Sequence, residues 1–281
     1  MALENMVGML KKAAVEGNAV GAFNILDYNS LRAVIGAAEG IDVPVIIQTS
    51  PATVKFWGVN AIAGWMRELA GASAVPAALH LDHCKDMAMI RECIEGGWTS
   101  VMIDASARPF DENAALTKEV VTMAHPKGIS VEGEIGKIGG VEEAIAVRTE
   151  DANLADPAEA GEFCKQTGID CLAPAVGTAH GFYKETPRIA FDRIEEIAKR
   201  TGMPLALHGG TGLSDETFRR CIRSGCAKIN VSTHIKHAFI KGFADYHDVH
   251  QEENNPLKII SAQHERIKRE VEKFMVVFKN A

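Results

Sequence analysis

The stretch Pro76-Ala77-Ala78-Leu79-His80-Leu81-Asp82-His83 is apolar at its start and turns polar where it ends. A short apolar run without a helical period reads as a strand buried on both faces. Its polar end then marks where the strand meets a ligand or solvent. Seven further runs read the same way, at residues 19–25, 44–49, 100–104, 130–135, 170–175, 204–207 and 228–231. Several also end in polar groups. Asp104 closes the fourth strand, and Glu132 and Glu134 lie on the fifth. Gly177-Thr178-Ala179-His180-Gly181 follows the sixth, and His208-Gly209-Gly210-Thr211-Gly212 follows the seventh. Asn230-Val231-Ser232-Thr233 closes the eighth.

Helix-like stretches separate these runs, at residues 30–38, 87–95, 159–166, 192–200 and 215–224. Asn29 is the expected N-cap of the first, and Gly96-Gly97 the expected stop of the second. Strand–helix alternation implies a parallel sheet. Eight units without a break in composition predict one α/β domain over residues 1–281, a (β/α)8 TIM barrel with a C-terminal helical extension; the alternative is an open doubly wound sheet. Residues 136–157 are Gly-rich, acidic and weakly periodic, which predicts a long loop able to act as a lid. The tail from 256 to 281 predicts a helix with a buried stripe at Ile259, Ile267, Val271, Phe274 and Val277.

The 281 residues are 47% hydrophobic, enough for a sizeable core. A net charge of −7 excludes a general nucleic-acid surface and leaves phosphate binding to local pockets. Cys84, Cys93, Cys164, Cys171, Cys221 and Cys226 are irregularly spaced, so reduced thiols are expected rather than a disulfide framework. No signal-peptide pattern and no run long enough to span a membrane is present, so the expectation is a cytoplasmic protein without a membrane partner.

In a barrel of this kind, polar strand ends converge on one bowl. His83, His180 and His208 would meet there, and three imidazoles with an open fourth position suit catalytic zinc. The glycines beside His180 and His208 expose backbone N–H groups able to cradle a phosphate, or serve tight turns of positive φ, or both. Asp82 is a candidate acid/base; the alternative is a carboxylate that orients a histidine. Neighbours on a strand point to opposite faces, so Asp82 and His83 need not share a role.

Ordered motifs over nearly the whole chain resemble the class II, zinc-dependent ketose-bisphosphate aldolases, especially the tagatose-bisphosphate subgroup. They are Gly21-Ala22-Phe23-Asn24, Gln48-Thr49-Ser50, His80-Leu81-Asp82-His83, Ser100-Val101-Met102-Ile103-Asp104, Glu132-Gly133-Glu134-Ile135-Gly136, Gly177-Thr178-Ala179-His180-Gly181, Leu207-His208-Gly209-Gly210 and Lys228-Ile229-Asn230-Val231. The resemblance implies zinc (Zn2+) on His83, His180 and His208, with Glu134 and Asp104 beside the metal. It implies that Asp82 exchanges a proton with the C4 hydroxyl. Glu142 would move a proton at the dihydroxyacetone-phosphate carbon, and Asn230 would hold the enediolate. Gly181, Gly209, Gly210, Thr211, Ser232 and Thr233 would bind the C1 phosphate, beside a monovalent cation (Na+ or K+). Asn24, Ser50, Lys184 and Lys236 complete the implied substrate set, Ser50 and Lys236 at the far phosphate. The implied reaction is reversible cleavage of a phosphorylated ketose, by a homodimer or homotetramer.

Zinc would take up charge on the C2 oxygen, so no Schiff-base lysine is required, and none is expected in an apolar pocket at these strand ends. Ala179 and Ser232 depart from the fructose-type pattern, and Thr211, Ala105, His234 and the segment Asn255-Pro256-Leu257-Lys258 from the residues usual in the family. Ala179 and Ser232 lean toward the tagatose type. The alternatives are a ketose 1-phosphate with another C6 group, a non-catalytic phosphosugar-binding barrel, and a Schiff-base aldolase on the same fold.

Overall fold

Every apolar run becomes a strand in the computed structural model, which describes residues 3–142, 145–147, 153–181 and 187–281, without the side chains of 140–142 and 145–147. The strands are β1 (Val20–Asn24), β2 (Val45–Thr49), β3 (Ala77–Cys84), β4 (Ser100–Ile103), β5 (Ser130–Ile135), β6 (Gly139–Glu142), β7 (Ile145–Val147), β8 (Cys171–Pro174), β9 (Ala179–His180), β10 (Leu205–Leu207) and β11 (Cys226–Val231). Eight of them close in the order β1-β11-β10-β8-β5-β4-β3-β2. Because β1 pairs in parallel with both β2 and β11, the sheet has no edge, which rules out the open doubly wound arrangement.

The helices are α1 (Met6–Glu16), α2 (Tyr28–Ile41), α3 (Pro51–Trp57), α4 (Val59–Ala72), α5 (Met87–Gly96), α6 (Phe110–Ala124), α7 (Pro157–Thr167), α8 (Phe191–Thr201), α9 (Asp215–Arg223), α10 (Thr233–Val249) and α11 (Pro256–Lys279). With the strands they make a (β/α)8 barrel. The N-cap of α2 is Asp27, not Asn29 as expected. The Asp27 carboxylate accepts from the Ser30 N–H at 2.7 Å, and the Ser30 hydroxyl accepts from the Asp27 N–H at 2.9 Å. This reciprocal box starts the helix two residues early. Asn29 instead donates to the Ile260 carbonyl of α11. The α11 stripe is Ile267, Val271, Met275, Val277 and Phe278, with Ile259 and Phe274 only half-buried.

The period-2 alternation of the strands sorts residues by size and polarity. Outward-facing Phe23, Ile47, Leu79, Val101, Val131, Leu172, Leu207 and Val231 belong to the core under the helices. Val20, Ala22, Ile46, Ala78, Cys171, Ala173 and Ala206 line a second, smaller core. Small side chains there leave room for α1, whose Met6, Met9, Leu10 and Ala13 plug the N-terminal mouth. Above this apolar floor the inward positions turn polar, as Asn24, Gln48, His80, Asp82, Glu132, Glu134, Lys228 and Asn230, all buried. The six cysteines are buried and free. Among the described residues, no helix is long and apolar enough to cross a membrane.

The 136–157 segment is not all loop, contrary to expectation. β6 and β7 form an antiparallel hairpin, and β6 pairs in parallel with β9. Glycines at 136, 139 and 140 leave the start of this segment without side chains to show a strand period.

If α1 is the plug, Leu10→Ala should lower the unfolding free energy by about 2–5 kcal/mol, the usual result of truncating a fully buried leucine. Urea unfolding measures this, and a loss below about 1 kcal/mol would show that α1 packs only loosely.

Candidate active site

Asp82 and His83 reach the same bowl because β3 carries one extra residue. Leu81 pairs with Val101 and Cys84 with Ile103, so two residues of β3 oppose Met102 alone. The bulge places His83 at φ 48°, the left-handed region. The expected opposite facing of two neighbours therefore fails here. Histidine is among the residues that tolerate this region better than β-branched ones.

His208 follows β10 and His180 lies on β9. One ring nitrogen from each of His83, His180 and His208 lies within 4.8 Å of the others, the only such His/Cys/Asp/Glu group among the described residues. His208 Nε2 is 2.8 Å from Glu132 Oε1, and its Nδ1 is 2.7 Å from His83 Nε2. Glu132 is an acceptor only, which assigns the His208 proton to Nε2 and leaves Nδ1 with a lone pair facing the cluster. His83 then donates from Nε2 to His208 and from Nδ1 to Asp104 Oδ2, at 3.4 Å. Burial opposes this imidazolium, but Asp82, Asp104 and Glu134 together raise the His83 pKa well above its ordinary value. Burial also opposes charge on Asp104, yet His83, Lys85 and Ser106 hold its carboxyl below the usual range. Glu134 is pushed up to about 8, by burial first and then by the charge of Asp104. Its Oε2 has no protein hydrogen-bond partner and lies 3.5 Å from His208 Nδ1. The donor set of three imidazoles and a buried carboxyl fits a divalent ion of zinc type.

Asp82 accepts two amide donors, Asn24 Nδ2 on Oδ2 at 3.2 Å and Asn230 Nδ2 on Oδ1 at 3.4 Å. Behind them, Gln48 Nε2 donates to Asn24 Oδ1 at 2.9 Å, and Lys228 Nζ donates to Asn230 Oδ1 at 2.7 Å. Gln48, Glu132 and Lys228 belong to the motifs quoted above but carried no expected role in the site. Lys228 is fully buried, not in an apolar pocket but in the polar layer, 3.0 Å from Glu132 Oε2. The available signal was spacing: Glu132/Glu134 and Lys228/Asn230 are i, i+2 pairs, so each pair shares one face. His80, hydrogen-bonded to Ser100 Oγ at 2.7 Å, is held neutral by burial and Lys228, its pKa lowered to about 3.

Gly209 shows why glycine follows His208. At φ 68°, an added Cβ would stand 2.6 Å from the Ala179 carbonyl oxygen, beside His180. Gly210 and Thr211 are buried in the same loop, and Gly181, at φ 90°, follows His180. Thr178 Oγ1 and Ser232 Oγ are buried without a hydrogen-bond partner, and Ser232 and Thr233 begin α10, with Lys236 in its first turn. Ser50 instead caps α3, accepting from the Thr53 N–H at 3.2 Å. The side chain of Glu142, the last residue of β6, and all of Lys184 lie outside the described residues.

The family model for class-II fructose-bisphosphate aldolase matches residues 4–281. A curated relative from Geobacillus stearothermophilus named fructose-bisphosphate aldolase is 41% identical over 276 residues, 96% of this chain and 95% of the relative. One of the same name from Staphylococcus aureus is 40% identical over the same length. The crystal structure of the YdjI aldolase of Escherichia coli K12 superposes with a TM-score of 0.87 at 31% identity, covering 99% of this chain and 97% of that one.

With His83 and Glu134 protonated near neutrality and deprotonated when they ligate a cation, metal binding releases protons, so affinity rises with pH. Calorimetry of zinc addition to metal-free protein in buffers of different ionisation enthalpy should show proton release near neutrality, the Glu134 share fading above about pH 8. The apparent affinity should rise about tenfold per pH unit for each proton released. An affinity independent of pH would contradict this protonation pattern.

Proposed function

Because the chain belongs to the class II fructose-bisphosphate aldolase family, and is thus a carbon–carbon lyase of that class, we propose that it reversibly cleaves a ketose 1,6-bisphosphate, of tagatose or fructose type, with zinc on His83, His180 and His208. The products are dihydroxyacetone phosphate and an aldehyde such as glyceraldehyde 3-phosphate. The observation that carries this reading is the convergence of the three-histidine cluster with Asp82 on one bowl. Glu134 stands ready to join the metal, with Asp104 behind His83. The proposed unit is the whole of residues 1–281, working in the cytoplasm as a homodimer or homotetramer on small phosphorylated ketoses.

Bound zinc supplies a Lewis acid at the C2 carbonyl oxygen of the ketose. Asp82 takes the proton of the C4 hydroxyl as the C3–C4 bond breaks and its electron pair moves toward C2 and its oxygen. The two amides on Asp82 hold its carboxylate in place, and Asn230 also steadies the charge that forms on the three-carbon fragment. Glu142 returns a proton to the C3 carbon, which completes dihydroxyacetone phosphate. The hairpin of β6 and β7 is joined to β9, the strand of His180, so it stands where it can exclude water.

The buried, unpartnered hydroxyls of Thr178, after β8, and Ser232, at the start of α10, support a C1-phosphate site with Gly181, Gly209, Gly210, Thr211, Thr233 and a sodium or potassium ion. Asn24, Lys184 and Lys236 complete the substrate set, with Lys236 at the far phosphate. Ser50 is engaged as a helix cap, which favours, as a second reading, a ketose 1-phosphate with a different C6 group.

Chelation should abolish cleavage, and added zinc or cobalt should restore it. His208→Ala should lower zinc occupancy. His125→Ala should not, because His125 pairs with Asp170 at the opposite end of the barrel. Asp82→Ala should keep metal and lose about 10²–10⁴-fold in turnover. Full activity in metal-free protein would sink the zinc reading, and unchanged turnover would reduce Asp82 to a structural group.

The curated relatives carry the fructose name, whereas Ala179 and Ser232 lean toward the tagatose type. The uncharged Ser232 should discriminate weakly between C4 epimers. The ratio of kcat/KM for the tagatose and fructose bisphosphates, in wild type and Ser232→Asp, decides. A wild-type preference for the fructose compound above about tenfold, or ~1.4 kcal/mol, rules out the tagatose type. Dihydroxyacetone-phosphate release from a ketose 1-phosphate alone would establish the second reading.

A further inference from the structure

Lys228 carries its ammonium group at 0% exposure in the polar layer of the barrel, where charge is expensive to bury without partners. Its Nζ has two. One is Asn230 Oδ1 at 2.7 Å, and the other is Glu132 Oε2 at 3.0 Å. Each partner leads to a different part of the site. Asn230 turns its Nδ2 to Asp82 Oδ1, and Glu132 turns its Oε1 to His208 Nε2.

An amide has a donor end and an acceptor end. A flipped Asn230 would present N–H to the ammonium and C=O to the Asp82 carboxylate, two repulsive contacts in place of two attractive ones. The cation therefore decides which end of Asn230 faces Asp82. Gln48 does the same for Asn24 on the other carboxylate oxygen, but with a neutral donor. On the second arm, Lys228 Nζ engages Glu132 Oε2 at 3.0 Å, which leaves Oε1 to meet His208 Nε2 at 2.8 Å. The carboxylate so held orients the His208 ring.

We propose that Lys228 is a positioning residue of the aldol reaction, whose one buried ammonium aims the Asn230 amide at Asp82 and holds Glu132 against the metal-facing His208. The proposal rests on the aldolase reading of the site. Lys228 acts through its neighbours, since its Nζ is enclosed and donates to two acceptors rather than facing the bowl.

Lys228→Met alone leaves Glu132 buried without its counter-ion, so the informative variant is Lys228→Met/Glu132→Gln. It removes both charges at similar volume and keeps an amide oxygen for His208. Two quantities are read on folded protein: the zinc dissociation constant, by competition with a chromophoric chelator, and kcat and KM at known zinc occupancy. The dissociation constant should rise about 10–100-fold, as expected when a ligand-orienting partner is lost. The kcat per bound zinc should fall at least about tenfold with KM changed less than about threefold, because Asp82 loses its aim while substrate contacts remain. Glu132→Gln, with Lys228 retained, should match the double variant in zinc affinity but lose about fivefold less in kcat per bound zinc. Wild-type zinc affinity and wild-type kcat per bound zinc in the double variant would overturn the proposal. An equal loss of kcat per bound zinc in Glu132→Gln would overturn its Asn230 arm. Zinc affinity requires no substrate, so a wild type that cleaves no ketose phosphate sinks the aldolase reading separately and leaves the Glu132 arm decided by the metal measurement.

Discussion

Between Leu81 and Cys84, β3 has two residues where β4 has one, and the chemistry at the mouth depends on that mismatch. A regular strand would send Asp82 and His83 to opposite faces, one into the bowl and one under the helices. The bulge, with His83 at φ 48°, turns both toward the same space. Such a backbone costs about 1–3 kcal/mol and persists only where surrounding contacts enforce it. Here they include Asp104 and His208 on the two nitrogens of His83, and Asn24 and Asn230 on the two oxygens of Asp82. The strain and the site thus depend on one another.

The barrel keeps these contacts ordered by separating an apolar floor from a polar layer. Below, alanines and α1 fill the interior with no polar demands. Above, Glu132, Lys228 and His80 are fully buried, and the Lys228–Glu132 ion pair offsets the desolvation of both groups. Such a pair adds little net stability compared with apolar residues of the same volume. Its effect is to hold His208 and Asn230 in one orientation each. The pairing of Gly140 with His180 ties the hairpin to the third histidine, so the hairpin and the three-histidine cluster share a backbone ladder.

Much of this was legible in the sequence. The apolar runs gave all eight barrel strands, and the polar residues at their ends gave the three histidines, Asp82 and the glycine turns. What escaped has physical reasons. A bulge in a parallel pair leaves no trace in a run that is buried on both sides, so the shared facing of Asp82 and His83 was not foreseen. Lys228 sits among apolar residues at the start of β11, and its partner Glu132 is on β5, so only three-dimensional closure brings them together. Asp27 outcompeted Asn29 as the α2 cap because Ser30 could complete a reciprocal box with it. The β6–β9 pairing joins the weakly periodic segment to a two-residue strand, too short for any pattern to announce.

The proposed chemistry turns on one metal ion joining three strand ends through three imidazoles. Anomalous diffraction at the zinc edge, from crystals grown with zinc, tests this. One strong peak is expected about 2.0–2.1 Å from a ring nitrogen of each of His83, His180 and His208, with His208 ligating through Nδ1 while Nε2 stays on Glu132. A peak bound to other residues, or zinc-saturated crystals with no peak among these three rings, would contradict it.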